Sequence, residues 1–186
     1  STLAFASSVE QTVEAIKAKL PKSKDTPVAE VPSLLGKTSQ RAPTVLLIGA
    51  SGFIGKRLVT DLQTADYAVR ALVRNPSSLA TIPLGDNVEI MQGDYRDDAV
   101  MVEALNGIDT VIHLAVAHAS DYQGYMNNDV LPTQRLVKKC QAFGVKRFIF
   151  TGTIHSLYLG PNAGRVMPDG GVDPQIKRRN NYAGSK

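Results

Sequence analysis

The chain has one cysteine, Cys140, and three histidines in 186 residues. A lone thiol cannot close a disulfide within the chain, and the histidines lack the spacing of metal ligands, so no metal site is expected. Cys140 falls in the helix-like "RLVKKCQAF", where a small buried thiol is expected. Long apolar runs are missing as well. None nears the roughly 20 residues that cross a bilayer, so no membrane partner is expected. The opening stretch carries Glu10 and Glu14 and lacks the apolar core of a secretory leader, which points to a reducing, cytoplasmic setting. Dense positive charge is absent too: the formal net charge is +4, with clusters only at Lys177-Arg178-Arg179 and Lys138-Lys139. A nucleic-acid face needs a thicker basic stripe, so nucleic acid is not an expected partner. The 43% of hydrophobic residues is enough for one ordinary domain core.

Two regions differ in texture. "SSVEQTVEAIKAKLP" puts Val9, Val13, Ile16 and Leu20 near helical spacing, with Ser7 or Ser8 to cap the start and Pro21 past the end. The four prolines of "PKSKDTPVAEVPSLLGKTSQRAP" then mark a linker or surface arm. Residues 1–43 are therefore expected to form an extension outside the domain core. From Thr44 to Lys186 strands and helices alternate. "TVLLIG", "AVRALVR", "NVEIMQGD", "DTVIHLAV" and "KRFIFTGT" read as strands, with helices at "FIGKRLVTDLQ", "DDAVMVEALNG" and roughly Asn127 to Phe143. Pro132 is expected to kink that last helix or mark its first turn. Repeated β-α-β units imply an α/β fold, a Rossmann-type doubly wound parallel sheet with helices on both faces.

"GASGFIG" places Gly49, Gly52 and Gly55 where the first strand gives way to a helix. Gly49 permits the tight turn. Without a Cβ at Gly52 a diphosphate can approach the backbone, and Gly55 lets the helix lie close on the strand. The helix N-terminus offers N–H groups and partial positive charge to phosphate. The pattern points to a dinucleotide. After the second strand, where an acidic residue would suit the ribose hydroxyls of NAD, the sequence has Arg74 in "ALVRNPSS". A guanidinium pairs with a 2′-phosphate, so NADP is expected, with NAD the alternative. Ser77 and Ser78 are candidate extra donors, and Arg70 reads as plain surface. Asp94 in "MQGDYRD" is placed to accept the adenine amino group, and Ala115 and Ala117 in "HLAVAH" leave room for ribose and diphosphate. His113, inside an apolar strand, is expected to be a satisfied core residue; His118 lies in a loop and its role is open.

The chain ends "NNYAGSK", with Tyr182 and Lys186 one helical turn apart on one face. An ammonium beside a phenol favours phenolate, so the expectation is a tyrosine with lowered pKa acting as proton donor and acceptor. Thr153, at the end of "FIFTGT", is a candidate holder of a substrate oxygen, with Thr151 its competitor.

Together "GASGFIG", "GDYRD", "HLAVA", "FIFTGT" and "YAGSK" resemble the extended short-chain dehydrogenase/reductase superfamily, its NAD(P)-dependent epimerase/dehydratase and reductase-like branch. The resemblance runs from Val45 to Lys186. It implies a catalytic set of Thr153, in place of the usual serine, Tyr182 as general acid/base, and Lys186, which also binds the nicotinamide ribose. The implied cofactor contacts are Gly49, Ser51, Gly52, Phe53, Ile54, Gly55, Arg74, Asp94, Tyr95, Leu114, Ala115, Val116 and Lys186. In the family a helical Asn often completes the set; here Asp129 holds that position with Asn128 beside it, and Pro132 stands for the family's glycine. Family members continue past the lysine into further strands and a substrate lobe, so the chain is expected to be a fragment. The expected activity is hydride transfer between NADPH and a carbonyl or hydroxyl of a small-molecule substrate. The alternatives are an NAD-retaining nucleotide-sugar epimerase or dehydratase and a catalytically silent NADP-binding module. A homodimer is compatible with the family.

Overall fold

A computed structural model describes residues 8–20, 44–157 and 171–186. The proline-rich linker and the stretch 158–170, with Tyr158, lie outside the described residues. Five parallel strands, β1 (Val45–Ile48), β2 (Val69–Val73), β3 (Val88–Gln92), β4 (Thr110–His113) and β5 (Arg147–Phe150), form one sheet in the order β3-β2-β1-β4-β5. β1 and β4 are buried throughout, as their unbroken apolar runs require of strands covered on both faces. The helices are α1 (Val9–Lys17), α2 (Phe53–Thr64), α3 (Asp98–Ala104), α4 (Tyr122–Tyr125), α5 (Leu131–Ala142), α6 (Ile176–Arg179) and α7 (Asn181–Ser185).

Alternate side chains of β1 point to opposite faces and seed two cores. Val45 and Leu47 join Leu58, Val59 and Leu62 of α2, whereas Leu46 and Ile48 join Met101 of α3 and Leu136 and Cys140 of α5. Cys140 is free and buried, as expected, and burial pushes its thiol up to about 11, which keeps it unreactive near neutral pH.

Three expectations need correction. The N-terminal extension is not wholly outside the core: α1, capped by Ser8 at the Gln11 N–H, inserts Val13 and Ile16 into the α2 side of the sheet. An amphipathic helix gains more by burying that stripe than by standing in water. Arg70 is not plain surface. Its side chain is 13% exposed, pairs with Glu89 on β3, and donates to the carbonyls of Glu103, Ala104 and Asn106 at the end of α3. The helix expected from Asn127 begins earlier and is interrupted. After α4 the backbone widens into a π turn, Met126–Val130, before α5 resumes. Pro132 lies in the first turn of α5, where its missing N–H is accommodated by the wider turn before it.

Candidate functional site

The chain reverses its direction of winding between β1 and β4, and a crevice opens there at the carboxyl ends of the strands, the usual ligand position in such sheets. Its wall includes Gly49 and Ser51 after β1, Arg74 after β2, Asp94, Tyr95 and Arg96 after β3, Ala115 to Ala117 after β4, and Asn128.

The three glycines have different tasks. Gly49 has φ +90°, and a Cβ there would stand 2.7 Å from the Ala115 backbone nitrogen. At Gly55 a Cβ would meet the Gly49 carbonyl oxygen at 2.2 Å, so close packing of α2 on the β1 turn requires glycine. Gly52 is exposed, and a Cβ there would meet only the Gly49 oxygen, at 3.3 Å. It is also the N-cap of α2 with no side chain closing the first-turn N–H groups. An open glycine before uncapped amides fits a dinucleotide diphosphate.

Arg74 is exposed on the crevice wall. Asp94 is clamped by Arg96, whose Nε donates to both carboxylate oxygens at 2.9 and 3.1 Å. That hydrogen-bonded guanidinium holds the Asp94 carboxyl below its ordinary range. The hydroxyls expected from Ser77 and Ser78 are already committed: both donate to Asn75, at its side-chain and backbone oxygens, in a local turn.

Tyr95 is the half-buried aromatic side chain of the crevice wall. Its hydroxyl donates to the Asn128 carbonyl at 3.3 Å, its ring lies 4.8 Å from that of His113, and burial pushes its phenol up to about 12. His113 is fully buried, as expected, but only one of its ring nitrogens is satisfied. Its Nε2 meets the Thr133 hydroxyl at 3.1 Å, Nδ1 has no hydrogen-bond partner, and burial lowers its pKa to about 4, so the ring is neutral.

Beyond Asn128 lies the second group. Asn180 caps α7 by accepting the Ala183 N–H at 3.0 Å; the helix carries Tyr182 and ends at Lys186. α7 packs against α4, the π turn and the 3-10 turn Ile154–Leu157, which directly follows Thr153. Thr153 is half-buried, and its Oγ1 accepts from the His155 N–H at 3.3 Å; Thr151 instead donates to the His113 carbonyl. The lowered tyrosine pKa is not found. Lys186 Nζ pairs with Asp129 Oδ2 at 2.7 Å and lies 5.9 Å from the Tyr182 ring centroid. The Tyr182 phenol is raised, first by burial, then by the negative charge of Asp129 and by Tyr125. The spacing Tyr-x-x-x-Lys said nothing of a carboxylate contributed from another element.

Of the expected cofactor contacts, Gly49, Ser51, Arg74, Asp94, Tyr95, Ala115 and Val116 share the crevice. Gly52 stands at its helix end. Ile54 and Leu114 are instead packed on the α2 core, and Phe53 is 82% exposed on the outside of the first turn. Lys186 lies with the tyrosine group. Arg96, carried by the "GDYRD" segment, was missed, and Asn128, expected beside Asp129 in the catalytic set, lines the crevice. Among the described residues no metal-binding cluster occurs, and no helix is long and apolar enough to cross a membrane.

A parallel sheet with a glycine-lined phosphate turn at its switch point defines a Rossmann-type nucleotide-binding protein. A family profile described as NAD(P)H-binding matches residues 49–171. The chain belongs to this NAD(P)H-binding family, within the extended short-chain dehydrogenase/reductase superfamily. It is 35% identical over 125 residues to a 3β-hydroxysteroid dehydrogenase/Δ5→4-isomerase of Mycobacterium tuberculosis, covering 62% of this chain and 33% of that one. It is 37% identical over 114 residues to the N-acetyl-α-D-glucosaminyl-diphospho-ditrans,octacis-undecaprenol 4-epimerase of Escherichia coli O157:H7, covering 59% and 32%. The solved structure of MoeE5 in complex with UDP-glucuronic acid and NAD superposes with a TM-score of 0.60 at 32% identity, over 76% of this chain and 45% of that one. The chain thus spans about a third of the curated relatives it matches.

Proposed function

We propose that the chain carries the nucleotide-binding and proton-transfer parts of an NADP-dependent carbonyl reductase or dehydrogenase. The observation that carries this reading is a glycine crevice bearing Arg74 whose wall reaches Asn128 of the π turn, against which α7, carrying the half-buried Tyr182, packs. Gly52 and the first turn of α2 hold the diphosphate, and Arg74 pairs with the 2′-phosphate. Ala115 and Ala117 leave space for the ribose and diphosphate. When bound, the nicotinamide nucleotide supplies or accepts the hydride. The protein's own part is to orient the substrate and manage its proton. Thr153 holds the substrate oxygen, and the Tyr182 hydroxyl gives that oxygen a proton or takes one from it. The relatives named as dehydrogenase and epimerase use names that span both alternatives. Arg74 favours NADP, and with it the reductase or dehydrogenase reading over an NAD-retaining nucleotide-sugar epimerase.

The test is NADPH oxidation against a panel of small aldehydes and ketones by the wild-type protein and Tyr182→Phe. The expected result is turnover reduced at least 1,000-fold in the variant, on the order of a lost general acid, with NADPH affinity unchanged. Undiminished turnover in Tyr182→Phe would remove the proton-transfer assignment.

A further inference from the structure

Asp129 and Lys186 form an ion pair sealed from solvent, with side chains 2% and 0% exposed. Such a pair is costly to bury, and the second Asp129 oxygen, Oδ1, has no hydrogen-bond partner. The Lys186 ammonium sits 4.9 Å over the Phe150 ring, and the Tyr182 ring lies 6.1 Å from that of Tyr125. The π turn holds the carboxylate here: Asp129 is buried within it, while Asn127 and Asn128, just before it in the same widened turn, are exposed. An uncharged Asn at this position would provide the hydrogen bond without the charge.

We infer that Asp129 is a positioning residue that neutralises Lys186 and keeps Tyr182 protonated, so that this site starts its reaction as a proton donor to a carbonyl substrate. The inference rests on the reading of Tyr182 as the general acid/base and sharpens it to the reductive direction. An epimerase or alcohol dehydrogenase must begin by taking a proton from a hydroxyl, which requires phenolate. A carbonyl reductase begins with phenol. In the step served, the carbonyl carbon gains a hydride from a reduced nicotinamide nucleotide, the C=O π pair moves to oxygen, and the Tyr182 O–H bond breaks to give that oxygen its proton. Water then reprotonates the phenolate.

The charges that act on the phenol are Asp129, from the π turn, and Tyr125, from α4, while Lys186, just past the end of α7, pairs with Asp129. The elements packed against α7 also carry Tyr122 on α4, His155 on the 3-10 turn and Arg178 on α6. The direction of the Tyr182 shift, upward with Asp129 as its largest electrostatic cause, agrees with the geometry.

The test reads the tyrosine directly. Protein carrying 13Cζ-labelled tyrosine is titrated by NMR without added nucleotide, and Tyr182→Phe identifies the resonance. The wild-type phenol is expected to titrate above 10, and in Asp129→Asn its midpoint is expected to fall by at least one pH unit, a tenfold gain in phenolate fraction. In the NADPH-loaded enzyme the alkaline limb of carbonyl reduction should move down by the same interval. A wild-type midpoint at or below 10, or an unmoved midpoint in Asp129→Asn, overturns the inference. If Asp129→Asn does not fold, Asp129→Ser supplies the same comparison, and a wild-type midpoint at or below 10 still overturns the inference. Full turnover in Tyr182→Phe, by contrast, would refute the underlying general-acid reading, whatever the titration gives.

Discussion

Gly52 and Gly55 look alike in "GASGFIG" and differ in what a methyl group would do. Gly55→Ala forces a Cβ to 2.2 Å from the Gly49 oxygen and 2.8 Å from Ala50 backbone atoms, contacts that only a backbone shift relieves. The expected cost is about 3 kcal/mol, at the upper end for overpacking, read as a lowered urea midpoint. Gly52→Ala meets one oxygen at 3.3 Å. Its stability cost is expected to stay near 1 kcal/mol, the loss of a tolerable cap residue. NADPH affinity should nevertheless fall at least tenfold in Gly52→Ala, because the added methyl stands where phosphate approaches. Equal affinity in Gly52→Ala and wild type would mean that this glycine is shaped for the turn alone. The residue scale was also where the sequence was most readily misread. A tyrosine and lysine four apart specify a shared helical face, but the charge near the phenol came from Asp129, which pairs with Lys186 from 57 positions away in the chain.

At the scale of elements, strands were more legible than helix ends. β1 and β4 stand out because a doubly covered strand has no polar face to hide, whereas the edge strands β3 and β5 are partly exposed and mix polar with apolar residues. The π turn at Met126–Val130 left no comparable mark, since its residues are compatible with an ordinary helix and only packing selects the wider turn. Arg70 was hidden for a related reason: an arginine in an alternating strand reads as solvent-facing until a helix end arrives over it. Its guanidinium joins three elements, reaching Glu89 on β3 and the α3 carbonyls, with the shortest contact 2.8 Å to Ala104. Arg70→Met keeps the aliphatic stem and removes these bonds. The expected loss is about 2 kcal/mol, as for hydrogen bonds to a mostly buried charged group, measured by denaturant unfolding. A change under about 0.5 kcal/mol, within the range of a neutral surface substitution, would show that Arg70 is no staple.

At the scale of the whole molecule, the sheet order β3-β2-β1-β4-β5 follows from two right-handed windings that start at β1 and run outward in opposite directions. That topology places the ends of β1, β2 and β4 around one crevice, which is why residues as distant as Gly49, Arg74 and Ala115 meet. α1 adds to this body from the opposite end of the sequence: Val13 and Ile16 lie against the same core as α2, the helix whose N-terminus faces the crevice. The substrate is the least legible feature. The stretch between Thr153 and Tyr182 is rich in glycine and proline and has no period that fixes its side chains. The most direct test of the account is a calorimetric titration of the full chain with NADPH and with NADH, repeated on Arg74→Ala. NADPH is expected to bind at least tenfold more tightly than NADH, about 1.4 kcal/mol, and Arg74→Ala to abolish that difference. Tighter binding of NADH, or binding of neither nucleotide, would contradict it.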